Sequence, residues 1–306
     1  MIRPAQQSVA TAQSENSSLA ELAQANRVLA SVAPVLGHLV ANEDIALFSE
    51  EIIARTRGMA ESLALQLART VFDSAPRDPA RKLSTVLFSQ PLLLSHCHAL
   101  ALEAQVTERL GSDAGLDPVL SPLLQDRIAA PQADEAGMAM KLLAAQARFI
   151  QNQRRMDLPL GELPADIAHI ALAAMTETFG MAAEPKASAI RSTFDEARSR
   201  KALLARVVLA DGGGIMRALD LDNAGVALFA TAVSLASGQD RSSAVLAMTA
   251  GQQARLALIL SVCGLGARAS EAILLRLHPD APLPRHCFGL ARDAAQSLLT
   301  ASESAR

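Results

Sequence analysis

Tryptophan and tyrosine are absent from the 306 residues, and phenylalanine occurs only eight times. Strands favour β-branched and aromatic side chains, whereas Ala and Leu, which dominate here, are strong helix formers. The sequence therefore predicts an all-α fold. The same shortage removes the aromatic platforms on which single-stranded nucleic acid stacks. Surplus positive charge is missing too: the formal net charge is −3, so no global basic footprint exists for duplex binding. No nucleic-acid partner is expected.

Long apolar runs are equally scarce. The longest uncharged apolar stretch, Ala224–Gly238, has 15 residues, fewer than the roughly 20 that a bilayer span requires. Its Ala-rich surface is expected to be buried either within the chain or in a dimer, which leaves the oligomeric state open. The first sixteen residues contain no secretory h-region. Three cysteines cannot all pair with one another, so reduced thiols and a cytoplasmic location are the expectation.

Catalytic signatures are also lacking. There is no GxSxG elbow, no HExxH, no GxxxxGK[ST] phosphate loop, and no CxxC or HxxxH ligand pair. The only Gly-rich run, Asp211-Gly212-Gly213-Gly214, has no preceding strand and no following Lys, and reads as a connection between helices. Neither enzymatic activity nor a cofactor is expected.

What is present is a chain that is 50% hydrophobic and 19% charged, enough apolar surface for a sizeable core. Residues 1–17 read as a disordered tail. Ser18, with Glu21 three residues on, has the spacing of a capping box. Ile52, Met59, Leu63 and Leu67 predict one long helix, or two meeting at Gly58. Asp78-Pro79 and Asp117-Pro118 each resemble a cap followed by Pro at the first helical position. Further helices are predicted from about Leu92 to Leu110, ended by Gly111, from Asp134 to Met156, and from Pro164 to Phe179. The Pro185 segment marks the boundary between an N-terminal helical domain, 18–183, and a C-terminal domain, 184–306.

Two clusters carry the candidate chemistry. His96-Cys97-His98 offers metal-ligand side chains, but neighbours on a helix diverge by about 100°, so His96 and His98 lie about 200° apart. Cys97 shares the apolar register of Leu93 and Leu100 and reads as a core residue. No metal site is assigned, although His96 and His98 at a pocket between helices would suit a ligand- or metal-responsive sensor. The second cluster lies between Lys141 and Met156. On one helix Lys141, Arg148, Asn152 and Arg155 form a single stripe beside an apolar face. Such a stripe can grip an acidic protein partner, or can be neutralised internally by Asp157, Glu162 and Asp166.

In the last third, short apolar segments at Ile215–Leu219, Val245–Met248 and Ile273–Leu277 each precede a longer one, with corresponding points 28 to 30 residues apart. The stretches IMRAL…VALFATAVSLASG and VLAM…LALILSVCGLGARASEAILLRL, within residues 200–300, resemble uncharacterised bacterial HEAT-like helical-repeat proteins. The resemblance implies stacked helical hairpins, an α-solenoid beside an N-terminal bundle, and supplies no catalytic residue. The function expected from sequence is a non-enzymatic scaffold that binds a protein partner through Lys141, Arg148, Asn152 and Arg155.

Overall fold

The computed structural model describes residues 18–27, 49–72, 77–210 and 213–304. The predicted tail, 1–17, and the first half of the Asp211–Gly214 run lie outside them. Among the described residues there are 15 helices and no strand, so the chain is all-α. The helices are α1 (residues 18–27), α2 (Glu50–Val71), α3 (Arg77–Phe88), α4 (Pro91–Ala114), α5 (Pro122–Ile128), α6 (Ala133–Arg155), α7 (Ala165–Phe179) and α8 (Glu184–Thr193). They continue as α9 (Arg200–Leu209), α10 (Gly214–Ala218), α11 (Leu221–Ser237), α12 (Arg241–Ala247), α13 (Gln253–Val262), α14 (Ala267–Leu277) and α15 (Arg292–Ser304).

Two large apolar cores organise them, and α4 takes part in both. Its first half packs Leu93, Cys97 and Ala101 with Leu63 and Leu67 of α2, Leu83 and Leu87 of α3, and Ala171 and Met175 of α7. Its second half gives Val106 and Leu110 to a larger core with Leu142 of α6, Leu204 of α9, Phe229 of α11 and Leu258 of α13. The short and long segments of the last third are the pairs α10–α11, α12–α13 and α14–α15, with α11 packed on α13 and α13 on α15. The first ten residues of the Ala-rich run, Ala224 to Val233 of α11, are buried within the chain, whereas Leu235 is exposed. Gly225 breaks that helix at φ 67°, in the left-handed region that glycine alone enters without cost.

Local chemistry explains where helices begin and end. Asp117 accepts the backbone N–H groups of Val119 and Leu120, both at 2.8 Å, but no helix follows. The cap-and-proline pair lies four residues on, where Ser121 Oγ accepts from Leu124 N at 3.3 Å and Pro122 opens α5. Helix α4 runs through Gly111 and stops at left-handed Gly115, φ 68°. Helix α6 ends at Met156, φ 57°, the one non-glycine residue in the left-handed region among those described.

Helix α2 is continuous through Gly58, where the chain passes against Met156. A Cβ on Gly58 would stand 2.5 Å from Met156 Cβ. Gly58→Ala should therefore lower stability by about 1–3 kcal/mol through overpacking, although Ala is the better helix former by about 1 kcal/mol. Urea denaturation of the two proteins checks the sign.

Among the described residues no single helix is long and apolar enough to cross a membrane. Helices α3 and α4 reach that length and composition only as a pair bent by 93°.

Candidate functional site

The most polar point of the interior is Glu103 on α4, whose side chain is sealed from solvent. Two arginines meet it. Arg241 donates Nη1 to Oε2 at 2.7 Å and Nη2 to Oε1 at 2.8 Å, while Arg200 donates Nη2 to Oε1 and Nη1 to Oε2. Each arginine is the first residue of its helix, α9 or α12. That position sets a cation against the positive end of the helix dipole. The capping carboxylates compensate: Asp240 accepts from Ser243 N at 3.0 Å, and Glu162 accepts from the Arg200 backbone N–H at 2.7 Å.

The arginines are held on every side. Arg200 donates Nε to Gln146 Oε1 at 2.7 Å, and its guanidinium lies 3.7 Å above the Phe149 ring. Arg241 donates Nε to Thr231 Oγ1 at 3.0 Å and Nη2 to the Ala227 carbonyl at 3.2 Å. Burial opposes ionisation of Glu103, but the two guanidiniums outweigh it and hold the carboxyl far below the usual range. The triad thus carries one surplus positive charge in the interior.

Beside the triad lies a cavity of about 110 Å³. Helix α4 contributes His96, Ala99 and Leu100; α6 contributes Ala145, Phe149, Asn152 and Gln153. The 157–164 connection closes one side, tied to α2 where Ser62 Oγ donates to Asp157 at 3.0 Å and Gln66 Nε2 to the Leu158 carbonyl at 2.8 Å. The starts of α9 and α12 complete the wall with Arg200, Lys201, Asp240, Arg241 and Val245.

Two wall residues hold polar atoms that the protein does not pair. Gln153 is 2% exposed, and its Oε1 has no hydrogen-bond partner, while its Nε2 contacts only the Met59 sulfur at 3.3 Å. His96 Nε2 is likewise sealed and unpartnered. Burial, aided by Lys201 and Arg241, pushes the His96 imidazole down to about 4, so it is neutral at pH 7. Buried polar atoms are normally paired, and each orphan costs about 1–3 kcal/mol.

The residues singled out from the sequence divide between different places. His96 lines the cavity, whereas His98 is 4% exposed and is not part of that wall; burial pushes it down to about 4 as well. Asn152 faces the cavity. Lys141 and Arg148 instead border an open groove of about 620 Å³ with Arg198 and Arg206, together with Asp134 and Asp195. Arg155 is exposed at the end of α6. Among the described residues Lys141, Arg148 and Arg155 form no ion pair; Asp157 accepts from Ser62 Oγ, and Glu162 from the Arg200 backbone N–H. Among the described residues His96 and His98 join no third metal-ligating side chain; a group that does converge is Glu21, His286 and Cys287, none of which lines the cavity.

Sequence reasoning missed Glu103, Arg200 and Arg241. One signal was available: Glu103 follows His96 by seven residues and so shares its helix face. The arginines, 97 and 138 residues further on, give no such sign. No known protein family, curated protein or solved structure matches this chain.

Proposed function

We propose that the protein is a small-ligand-binding helical module whose site is the cavity between α4, α6, α9 and α12. The observation that supports it is the pair of unpartnered polar atoms, Gln153 Oε1 and His96 Nε2, carried by two residues that line the cavity from α6 and α4. The ligand would be small, since the volume of about 110 Å³ is of the order of the ~150 Å³ cavity that accepts benzene. It would present hydrogen-bond donors to Gln153 and His96 and an apolar body to Leu100, Phe149 and Val245. Three cations (Arg200, Lys201, Arg241) and three carboxylates (Asp157, Glu162, Asp240) border the cavity. That balance favours a ligand without net charge.

A polar group kept for a ligand weakens the protein that keeps it. Gln153→Met, which preserves length and removes the orphaned oxygen, should raise stability in urea by about 1 kcal/mol and abolish ligand uptake. A less stable variant would make Gln153 a structural residue and remove the support for the site.

A second reading rests on the groove beside α6. Lys141 and Arg148, with Arg198 and Arg206, would receive an acidic segment of a protein partner, consistent with a scaffold of stacked helical hairpins. Replacing Lys141 and Arg148 by Ala should then abolish capture of that partner without lowering the melting temperature. A loss of thermal stability would place both residues in the structure instead.

A further inference from the structure

The opposite ends of the described chain meet at a cluster of three ligand-type side chains. Glu21 of α1 brings a carboxylate oxygen, His286 a ring nitrogen and Cys287 its sulfur, all within 4.8 Å of one another. Consecutive residues diverge on an α-helix, but His286 and Cys287 sit on a tight 3₁₀ turn, Arg285–Cys287. That turn is closed by Cys287 N donating to the Pro284 carbonyl at 2.9 Å. It directs both side chains toward α1.

The geometry between them is not that of a hydrogen bond. His286 Nε2 stands 3.2 Å from Glu21 Oε1, yet Nε2 has no aligned partner. Two ligand atoms on a tetrahedral ion, each about 2.0–2.1 Å from it, are about 3.3 Å apart. The observed spacing is that of one edge of such a tetrahedron. The Cys287 sulfur is buried, and Ser18 Oγ lies 3.5 Å from it, so a hydroxyl borders the same point. Glu21 is exposed and His286 half-buried, so the cluster lies at the edge of the fold.

We propose that Glu21, His286 and Cys287 bind a divalent cation of the zinc type, through one oxygen, one nitrogen and one sulfur, with a fourth position open. The mixed donor set selects against magnesium and calcium, which take oxygen ligands. Because the ligands come from α1 and from the turn before α15, the ion clips the first described helix to the last part of the chain. Metal binding is thereby coupled to the docking of α1. The site shares no residue with the cavity, so neither proposal depends on the other.

The test uses the full chain freed of metal by a chelator. Zinc is titrated by calorimetry, and cobalt(II) by absorption spectroscopy. The expected result is one ion per chain and a thiolate-to-cobalt charge-transfer band. Cys287→Ser should remove the band, and His286→Ala should weaken zinc binding by at least roughly tenfold. Cys263→Ser, which alters a cysteine outside the cluster, should leave both intact. The wild-type cobalt spectrum needs no variant to fold: absence of the band and of stoichiometric zinc overturns the proposal. Persistence of the band in a Cys287→Ser protein with unchanged circular dichroism overturns it as well.

Discussion

Glu103→Ala should cost about 3–5 kcal/mol of stability, measured as a shift of the urea midpoint at constant slope. The loss does not come from the carboxylate's own attraction alone. Removing it leaves Arg200, 5% exposed, and Arg241 facing each other at the starts of α9 and α12 with no counter-ion between them. The desolvation cost of two guanidiniums, already met in the folded protein, then goes uncompensated. Helix dipoles add to the repulsion, since both arginines occupy first helical turns. Glu103→Gln keeps the shape but not the charge and should fall between wild type and Glu103→Ala. Replacing the whole triad by Leu and Met should recover most of the loss, because a well-packed apolar set avoids the desolvation altogether. A Glu103→Ala protein as stable as wild type would show that the triad is exposed to water in solution.

Acid should destabilise the protein well above the usual carboxylate range. His96 and His98 are both held down to about 4 chiefly by burial, whereas an unfolded chain binds their protons near the ordinary value of 6.5. Between about pH 6.5 and 4 the unfolded state therefore carries more protons than the folded one. Stability must then fall as pH falls through that window, by up to about 2.7 kcal/mol per pH unit for two protons. Glu103 works in the same direction but lower: its carboxyl is depressed, so its contribution stays complete until the pH drops below about 4.5. The loss between pH 6.5 and 4.5 is thus assigned to the histidines, with His278 as a third that burial holds down. Unfolding free energies measured across this range should show the slope, and His96→Asn with His98→Asn should reduce it to the part that His278 supplies. A flat profile in wild type would mean that both rings titrate in contact with water.

The helical character was legible because it rests on local properties. Shortage of aromatics, abundance of Ala and Leu, and the four-residue register of Met59, Leu63 and Leu67 act within one turn or two. Boundaries were legible to the same degree: α6 and α7 end within a residue of expectation. Gly111, in contrast, was read as a stop but lies inside α4, because a helix with its core face still packed tolerates one glycine. Asp117-Pro118 has the composition of a cap, yet Ser121-Pro122 opens the helix; two adjacent signals compete and packing decides between them.

The site was legible only in fragments. His96 and Asn152 were singled out, each for a reason that concerned another residue. The stripe of Lys141, Arg148, Asn152 and Arg155 holds as a helical arrangement, but the 157–164 connection and α9 fold against α6 at different heights. They leave Asn152 facing the cavity beside the triad and Arg148 facing an open groove. Glu103 looks like an ordinary surface acid in sequence, and a buried arginine is spelled as an exposed one. Their meeting is a long-range property that no local pattern encodes.

The most direct measurement is a ligand-observed NMR screen of small uncharged fragments bearing hydrogen-bond donors, run against wild type and Leu100→Trp. Leu100 lines the cavity, and the larger ring fills it. Fragments that bind wild type, shift the His96 ring signals and fail to bind a folded Leu100→Trp protein are the expected result. No binding at all, or binding equal in both proteins, would contradict a ligand site between α4, α6, α9 and α12.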